Sequence, residues 1–238
     1  MDIETTVKQY KATTAVREAL SSVRIVLMAG ISGAGKDTIK RHALQTGVFR
    51  PIISHTTRLP RMNNGVEEQD GYDYHFVDQT TAAVMVEREE FVEAKYVHGT
   101  IYGTSVAEVI GSGDDRIALT DVDVQGVAEY VALSDAIVPI FVVPPSYEIW
   151  IDRLSRRYAS AQEFSLEWPK RRESAISELS EALRVSYYHF LVNDTLDNSI
   201  RAVVDIAQYP TKPRAKDTSA RLVAQELLDS IRVNTGTH

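Results

Sequence analysis

The chain contains no cysteine. Disulfides, thiolate metal centres and cysteine nucleophiles are therefore excluded, and the absence fits a reducing cytoplasm. Long apolar runs are missing too: nothing approaches the ~20 residues that a membrane-spanning helix needs. The first residues, Met1-Asp2-Ile3-Glu4, are acidic where a secretory leader would be basic and then apolar, so a cytoplasmic location is expected. Positive charge is the minority sign, with 26 Lys and Arg against 33 Asp and Glu and a formal net charge of −7. That balance argues against a nucleic-acid partner held by bulk electrostatics. No internal repeat is visible.

What is present is an ordinary globular composition, 44% hydrophobic and 25% charged over 238 residues, long enough for an α/β unit with inserted subdomains. The most informative stretch is Gly30-Ile31-Ser32-Gly33-Ala34-Gly35-Lys36-Asp37-Thr38. An apolar run, residues 23–29, precedes it and a helical pattern to residue 44 follows, giving strand, glycine-rich turn and helix. Glycines let the backbone turn its N–H groups around an anion, the helix adds its positive end, and Lys36 adds a point charge. The pattern G-x-x-x-x-G-K-[ST] is met except at Asp37, where a hydroxyl residue is expected. Cations otherwise gather at Arg58 and Arg61, at Arg153, Arg156 and Arg157, and at Lys170, Arg171 and Arg172. Any one cluster is ordinarily a solvated face; three beside a phosphate loop point to convergence on one site.

Periodicity predicts a helix over residues 1–20, with Val7, Tyr10, Val16 and Leu20 along one side, and a second strand over 51–56. Residues 57–71 are polar and rich in turn signals, including Asn63-Asn64-Gly65. A short strand follows at 72–77, a helix at 80–90, and strand character at 91–105 broken by Gly99 and Gly103. After a helix at 106–110 that stops at Gly111-Ser112-Gly113 come a strand at 116–120 ending in Asp121, a helix from Gln125, a fully apolar strand at 136–143 and a helix at 149–157. Residues 158–167 read as a polar, mobile stretch. Pro169 suits the first turn of a helix reaching 188. A last strand (190–192), a last helix (200–207), a flexible linker to Ser219 and an amphipathic helix with Leu222, Leu227, Leu228 and Ile231 complete the chain.

In order along the sequence occur Ser54-His55-Thr56-Thr57-Arg58-x-x-Arg61, Asp70-Gly71-x-Asp73-Tyr74-His75-Phe76, Glu93-Ala94, His98-Gly99-x-x-Tyr102-Gly103-Thr104-Ser105, Asp121-Val122-Asp123-x-Gln125-Gly126, Pro144-Pro145-Ser146, the run from Arg153 to Arg157, and Val192-Asn193-Asp194. With the phosphate loop, these resemble guanylate kinase over roughly residues 23–208. The resemblance implies an α/β fold: a P-loop parallel sheet flanked by helices, a small mixed α/β GMP-binding insert and a helical lid. The implied divisions are an N-terminal extension (1–22), core (23–53), GMP subdomain (54–105), core (106–152), lid (153–172), core (173–208) and a C-terminal extension (209–238).

It further implies ATP-dependent phosphorylation of GMP, with ATP and Mg²⁺ required and ATP held on Gly30, Ser32, Gly33, Ala34, Gly35, Lys36, Asp37, Thr38 and Asn193. Arg58 and Arg61 offer planar forks to the GMP phosphate, joined by the hydroxyls of Ser54, Tyr74 and Tyr102. Glu93 and Thr104 match the positions that read guanine: a carboxylate accepts N1–H and the 2-amino group while a hydroxyl donates to O6. Gly103, Asp121 and Asp123 complete that site. Tyr74 and Tyr102 also suit plain strand packing, Glu93 an exposed strand carboxylate and Asp121 a helix cap. The implied catalytic set is Lys36, Arg58, Arg153, Arg157 and Arg171, with Asp121, Thr38 and Asp37 toward the metal.

Two points depart from the pattern. Tyr158 follows Arg157 where the family has glycine, and the lid is longer, so which of Arg156, Arg157, Arg171 and Arg172 meets phosphate is open. Asp37 either serves the metal or points away and leaves that task to Thr38. A Lys-Asp-Ser/Thr loop also resembles ribose 1,5-bisphosphate phosphokinases, and a third reading is a non-catalytic guanylate kinase-like protein-binding module. The guanine-reading pair argues against the first, and retained Lys36, Asp121 and the arginines against the second. Monomer and homo-oligomer are both open.

Overall fold

The computed structural model describes residues 3–63, 66–111 and 113–234. The chain opens with two helices, α1 (Ile3–Lys8) and α2 (Thr14–Ser21), where one was expected. Thr13 causes the break: it is extended and its hydroxyl accepts the Val16 N–H, starting a new helix. β1 (Ile25–Ala29) is buried throughout and leads through the glycine-rich loop into α3 (Lys36–Leu44).

The single strand expected over 51–56 is two, β2 (Phe49–Pro51) and β3 (His55–Thr56), in different sheets. Pro51, without an N–H, ends the first ladder. The stretch read as turns contains a small ribbon, β4 (Met62–Asn63) with β5 (Val66–Glu67); its expected Asn64-Gly65 turn lies outside the described residues, as does Ser112. β6 (His75–Phe76) is shorter than expected because two aspartates fold the segment before it. Asp70 Oδ1 accepts the Phe76 N–H at 2.8 Å, and Asp73 Oδ2 accepts that of Gln69 at 2.7 Å.

Asp78 caps α4 (Gln79–Glu87), and β7 (Phe91–Val97) pairs antiparallel with β8 (Thr100–Ser105). Gly103 does not break β8. It pairs with Ala94 in the ladder, and a Cβ there would fall 2.8 Å from the Phe91 ring, which is why the position is glycine. Ser105 then caps α5 (Val106–Ile110).

β9 (Ile117–Asp121), α6 (Val124–Val131), β10 (Ile137–Val143) and α7 (Tyr147–Ser155) alternate as the apolar runs predict. α8 (Ala161–Arg184) is the main departure: the stretch expected to be mobile is helical, and Pro169 lies inside the helix rather than at its start. Ser160 accepts the Glu163 N–H at 3.1 Å while Glu163 reaches back to the Ala159 N–H at 2.9 Å, a near-reciprocal cap. Phe164 and Trp168 are buried. Burial of each contributes about 2–3 kcal/mol, which offsets the roughly 3 kcal/mol that an interior proline costs. β11 (His189–Val192) and α9 (Leu196–Gln208) follow.

α10 (Ala215–Val233) begins within the segment expected to be a flexible linker. Asp217 draws that start inward by accepting the Phe190 N–H at 2.5 Å and bonding His189 Nδ1 at 2.8 Å. Leu227, Leu228 and Ile231 are buried as the pattern predicts, but Leu222 is exposed. α8 and α10 cap one another. Arg172 donates to the carbonyls of Ile231 (3.0 Å), Arg232 (2.9 Å) and Asn234 (3.3 Å), and Arg221 donates to those of Leu183 and Val185.

Two compact units result. The first comprises residues 1–25, 50–118 and 132–136. It holds the four-stranded sheet β6-β3-β8-β7 and a core of Val7, Ala82, Val86, Phe91 and Ile101. The second comprises 26–49, 119–131 and 137–238 and holds most of the five-stranded sheet β11-β10-β1-β9-β2, whose β10 is buried at every position. Strands covered on both faces read as unbroken apolar runs, as here. Among the described residues no helix is long and apolar enough to cross a membrane.

Candidate active site

In the second unit the loop between β1 and α3 is packed tightly at its glycines. Gly30 and Gly35 have φ of 142° and 92°, and neither tolerates a side chain: a Cβ at Gly30 would fall 2.2 Å from the Val142 carbonyl oxygen, and one at Gly35 2.3 Å from Asn193 Nδ2. The loop is held from outside. Trp150 Nε1 donates to the Ser32 carbonyl at 2.8 Å, and Asn193 Nδ2 to that of Ala34 at 2.8 Å. Asn193 Oδ1 in turn accepts from Ser199 Oγ at 3.0 Å. Both ends of the amide of Asn193, a residue expected to hold ATP, are therefore engaged inside the protein, where they brace the loop.

Two cavities adjoin this loop. One, of about 390 Å³, is lined by Gly33, Gly35, Asp37, Thr38, Arg153, Arg157 and Asn193 among others. The other, of about 370 Å³, is lined by Ser32, Lys36, Asp37, Asp121, Asp123, Arg157 and Glu178 with loop glycines. Lys36 Nζ folds back on the Gly30 and Ile31 carbonyls, and burial lowers its pKa. Glu178, on α8, is raised by burial and accepts from Ser174 Oγ at 2.7 Å. Arg153 Nη2 donates to the Asn193 carbonyl at 3.1 Å, and its Nη1 is buried without a partner among the described residues. A buried donor left open at a cavity wall is what an anionic ligand satisfies.

The arginines divide. Arg157 Nη1 donates to Ser32 Oγ at 2.8 Å and Nη2 lies 3.4 Å from Asp37 Oδ2. Arg156 pairs with Asp152, Arg171 donates to the Tyr158 hydroxyl at 2.8 Å and meets Glu167, and Arg172 caps α10. Arg153 and Arg157 alone of these line the cavities. Asp121 is ion-paired with Lys40, one turn beyond Lys36 on the same face of α3. The helix cap falls to Asp123, whose Oδ1 accepts the Gly126 N–H at 2.6 Å.

In the first unit the residues expected to read a nucleobase form a hydroxyl-to-carboxylate chain. Ser54 Oγ lies 3.1 Å from Thr104 Oγ1, which donates to Glu93 Oε1 at 2.8 Å. β7 and β8 set this pair opposite one another in register, and Thr104 is buried. Thr104 thus also aims the carboxylate. Nearby, Arg58 Nη2 donates to Glu68 Oε1 at 2.8 Å and Nη1 to Glu68 Oε2, with the guanidinium 4.9 Å from the Tyr74 ring centre. Glu68 and Tyr102 raise its pKa. Tyr74 and Tyr102 meet edge to face at 6.1 Å. Glu68 also accepts the Arg61 N–H at 2.9 Å, while the Arg61 side chain is exposed.

Sequence reasoning missed Glu68, Lys40, Trp150 and Glu178. Only Lys40 carried a usable signal, its four-residue spacing from Lys36. Among the described residues no three His, Asp or Glu side chains gather closely enough to form a metal cage. Magnesium at a nucleotide needs fewer: one or two carboxylates, with phosphates and water completing its shell. Asp121, which lines the same cavity as Lys36, suits that chemistry.

Residues 22–209 match the family model described as guanylate kinase. The chain is 37% identical over 197 residues to a guanylate kinase of Nitrosospira multiformis, covering 81% of this chain and 88% of that protein. With the guanylate kinase of Homo sapiens it shares 33% identity, over 76% of this chain and 90% of that one. A solved guanylate kinase structure from Anaplasma phagocytophilum superposes with a TM-score of 0.55 at 24% identity, covering 87% and 94% of the two chains, a likeness of fold.

Proposed function

Because the chain belongs to the guanylate kinase family, we propose that it transfers the γ-phosphoryl group of ATP reversibly to GMP, giving ADP and GDP. The observation that carries this reading is the Ser54–Thr104–Glu93 chain in a protein whose phosphate loop keeps its glycines and Lys36. Guanine presents two adjacent donors to Glu93. Adenine would set an acceptor against the carboxylate and leave a charge unpaired, at a cost of several kcal/mol. A sugar-phosphate acceptor would leave the same pair with nothing to read.

The attacking oxygen of GMP is already anionic, so no general base is required. The chain's work is positioning and charge neutralisation. The backbone N–H groups of the glycine-rich loop and Lys36 hold the triphosphate, Arg153 and Arg157 meet the transferred group, and Arg58 with Tyr74 and Tyr102 holds the acceptor phosphate. Arg58 keeps N–H groups beyond those that Glu68 takes, and Glu68 fixes its fork in one orientation. Asp121 and the Thr38 hydroxyl are the groups that would hold Mg²⁺, which neutralises phosphate charge when bound. A cytoplasmic enzyme fits the cysteine-free composition. An assay that couples ADP release to NADH oxidation, run with GMP, AMP, CMP and UMP, tests the reading. Turnover with GMP far above the others is expected; turnover confined to another acceptor would overturn it.

A further inference from the structure

Asp37 stands where a phosphate loop ordinarily carries a hydroxyl, and nothing in the reaction described above uses it. We propose that Asp37 is a positioning residue for Arg157, holding that guanidinium over the phosphate cavities with Ser32, and that it does not ligate the metal. The proposal rests on the ATP-binding reading of this loop.

The geometry is local to the second unit. Arg157 offers its two terminal nitrogens to two loop residues, Nη1 to Ser32 Oγ at 2.8 Å and Nη2 toward Asp37 Oδ2 at 3.4 Å. Asp37 and Arg157 line both cavities. Among the other charged groups there, Asp121 has Lys40, Lys36 has two loop carbonyls, Asp123 accepts the Gly126 N–H, Glu178 accepts from Ser174, and Arg153 donates to the Asn193 carbonyl. Arg171 is tied to Tyr158 and Glu167, and Arg156 to Asp152. Arg157 is therefore the lid arginine that faces the loop from beyond α7, and Asp37 is the acid that faces it.

Two departures from the family pattern thus sit side by side. Tyr158, in place of glycine, accepts from Arg171 Nε at 2.8 Å, and Asp37, in place of a hydroxyl, receives Arg157. A neutral hydroxyl on the short side chain of serine or threonine gives a guanidinium far less to pair with than a carboxylate. The pair is exposed, 50% for Arg157 and 71% for Asp37, and exposed ion pairs are weak. Weakness serves the purpose: the arginine is held near its place yet passes to a triphosphate when one arrives. With nucleotide bound, Arg157 lies between two negative groups and screens the carboxylate from the phosphates.

This charge compensation has a signature that a metal ligand lacks. ATP affinity is measured by titration calorimetry, in EDTA and again in Mg²⁺, for Asp37→Asn, Arg157→Ala and the double variant. Expected is about tenfold weaker binding for Arg157→Ala and less than about threefold change for Asp37→Asn. The double variant should recover most of the Arg157→Ala loss, because the carboxylate no longer faces phosphate unscreened. The pattern should be the same with and without metal. Equal effects of Asp37→Asn in both backgrounds would overturn the proposal, as would a loss confined to Mg²⁺. If the unmodified enzyme bound no ATP in either condition, the kinase reading itself would fall and the proposal with it.

Discussion

Replacing Arg172 by alanine separates two roles for one arginine. The resemblance makes it a candidate for the phosphate, whereas the structure shows it at the C-terminus of α10, donating to three backbone carbonyls. A hydrogen bond from a charged donor contributes about 1.5–3 kcal/mol when buried, and much less in water. The Ile231 carbonyl is the half-buried acceptor, while the other two bonds are exposed. One bond at about 1.5 kcal/mol, with two at about 0.5 and a small gain from the helix dipole, gives a loss of roughly 2–3 kcal/mol. For a chain of this size each kcal/mol lowers Tm by about 2–4 °C, so a fall of roughly 4–12 °C is expected by thermal denaturation. Hydrogen exchange should localise the loosening to the last two turns of α10, and kcat should change little. Arg172→Lys should recover less than half, since a single ammonium cannot span three carbonyls. An unchanged Tm with a hundredfold loss of kcat would refute the reasoning and return Arg172 to the phosphate.

The nucleobase and the insert supply two further tests. Glu93→Gln keeps the Thr104 bond but turns an amide donor toward a guanine donor, so kcat/KM for GMP should fall about a hundredfold with KM for ATP unchanged; a loss under threefold would remove Glu93 from base reading. His55 has its pKa lowered by burial and by the His75 ring, 4.7 Å away, against opposing Glu108 and Asp70; Phe91 covers its edge and its Nδ1 is buried without a partner among the described residues. Below about pH 6.5 the unfolded chain takes a proton that the native state refuses, so stability falls from there toward the lowered native value. A thermal-denaturation series from pH 7.5 to 5 should show that slope, and His55→Leu should flatten it; an unchanged slope would place the acid sensitivity elsewhere.

The sequence made legible whatever is locally encoded. β1, β9 and β10 are apolar runs, α3 follows its glycines, and the loop announces a phosphate from nine consecutive residues. The Ser54, Glu93 and Thr104 set was legible through motif order, and the structure brings those three into one chain. Hidden were partners fixed only by folding. Glu68 is one acid in a polar stretch, Trp150 looks like a core residue, and Glu178 sits in a charged helix without a motif. The start of α8 was readable but obscured: Ser160 and Glu163 have capping spacing, and the polar residues around them masked it. The N-terminal break was harder, because Thr13 and Thr14 interrupt an amphipathic pattern only through a side-chain bond.

The chain has two tryptophans, and both belong to one row of rings. Tyr158, Phe164, Trp168 and Trp150 follow one another at centroid spacings of 5.5, 5.8 and 5.6 Å, from the lid to the loop. The last indole holds the Ser32 carbonyl by its N–H. Indole emission responds to hydrogen bonding at the ring nitrogen and to nearby charge, so all the tryptophan fluorescence of this protein originates in a row of rings that ends on the glycine-rich loop. The enzyme carries its own optical label there, with no competing indole elsewhere to dilute it.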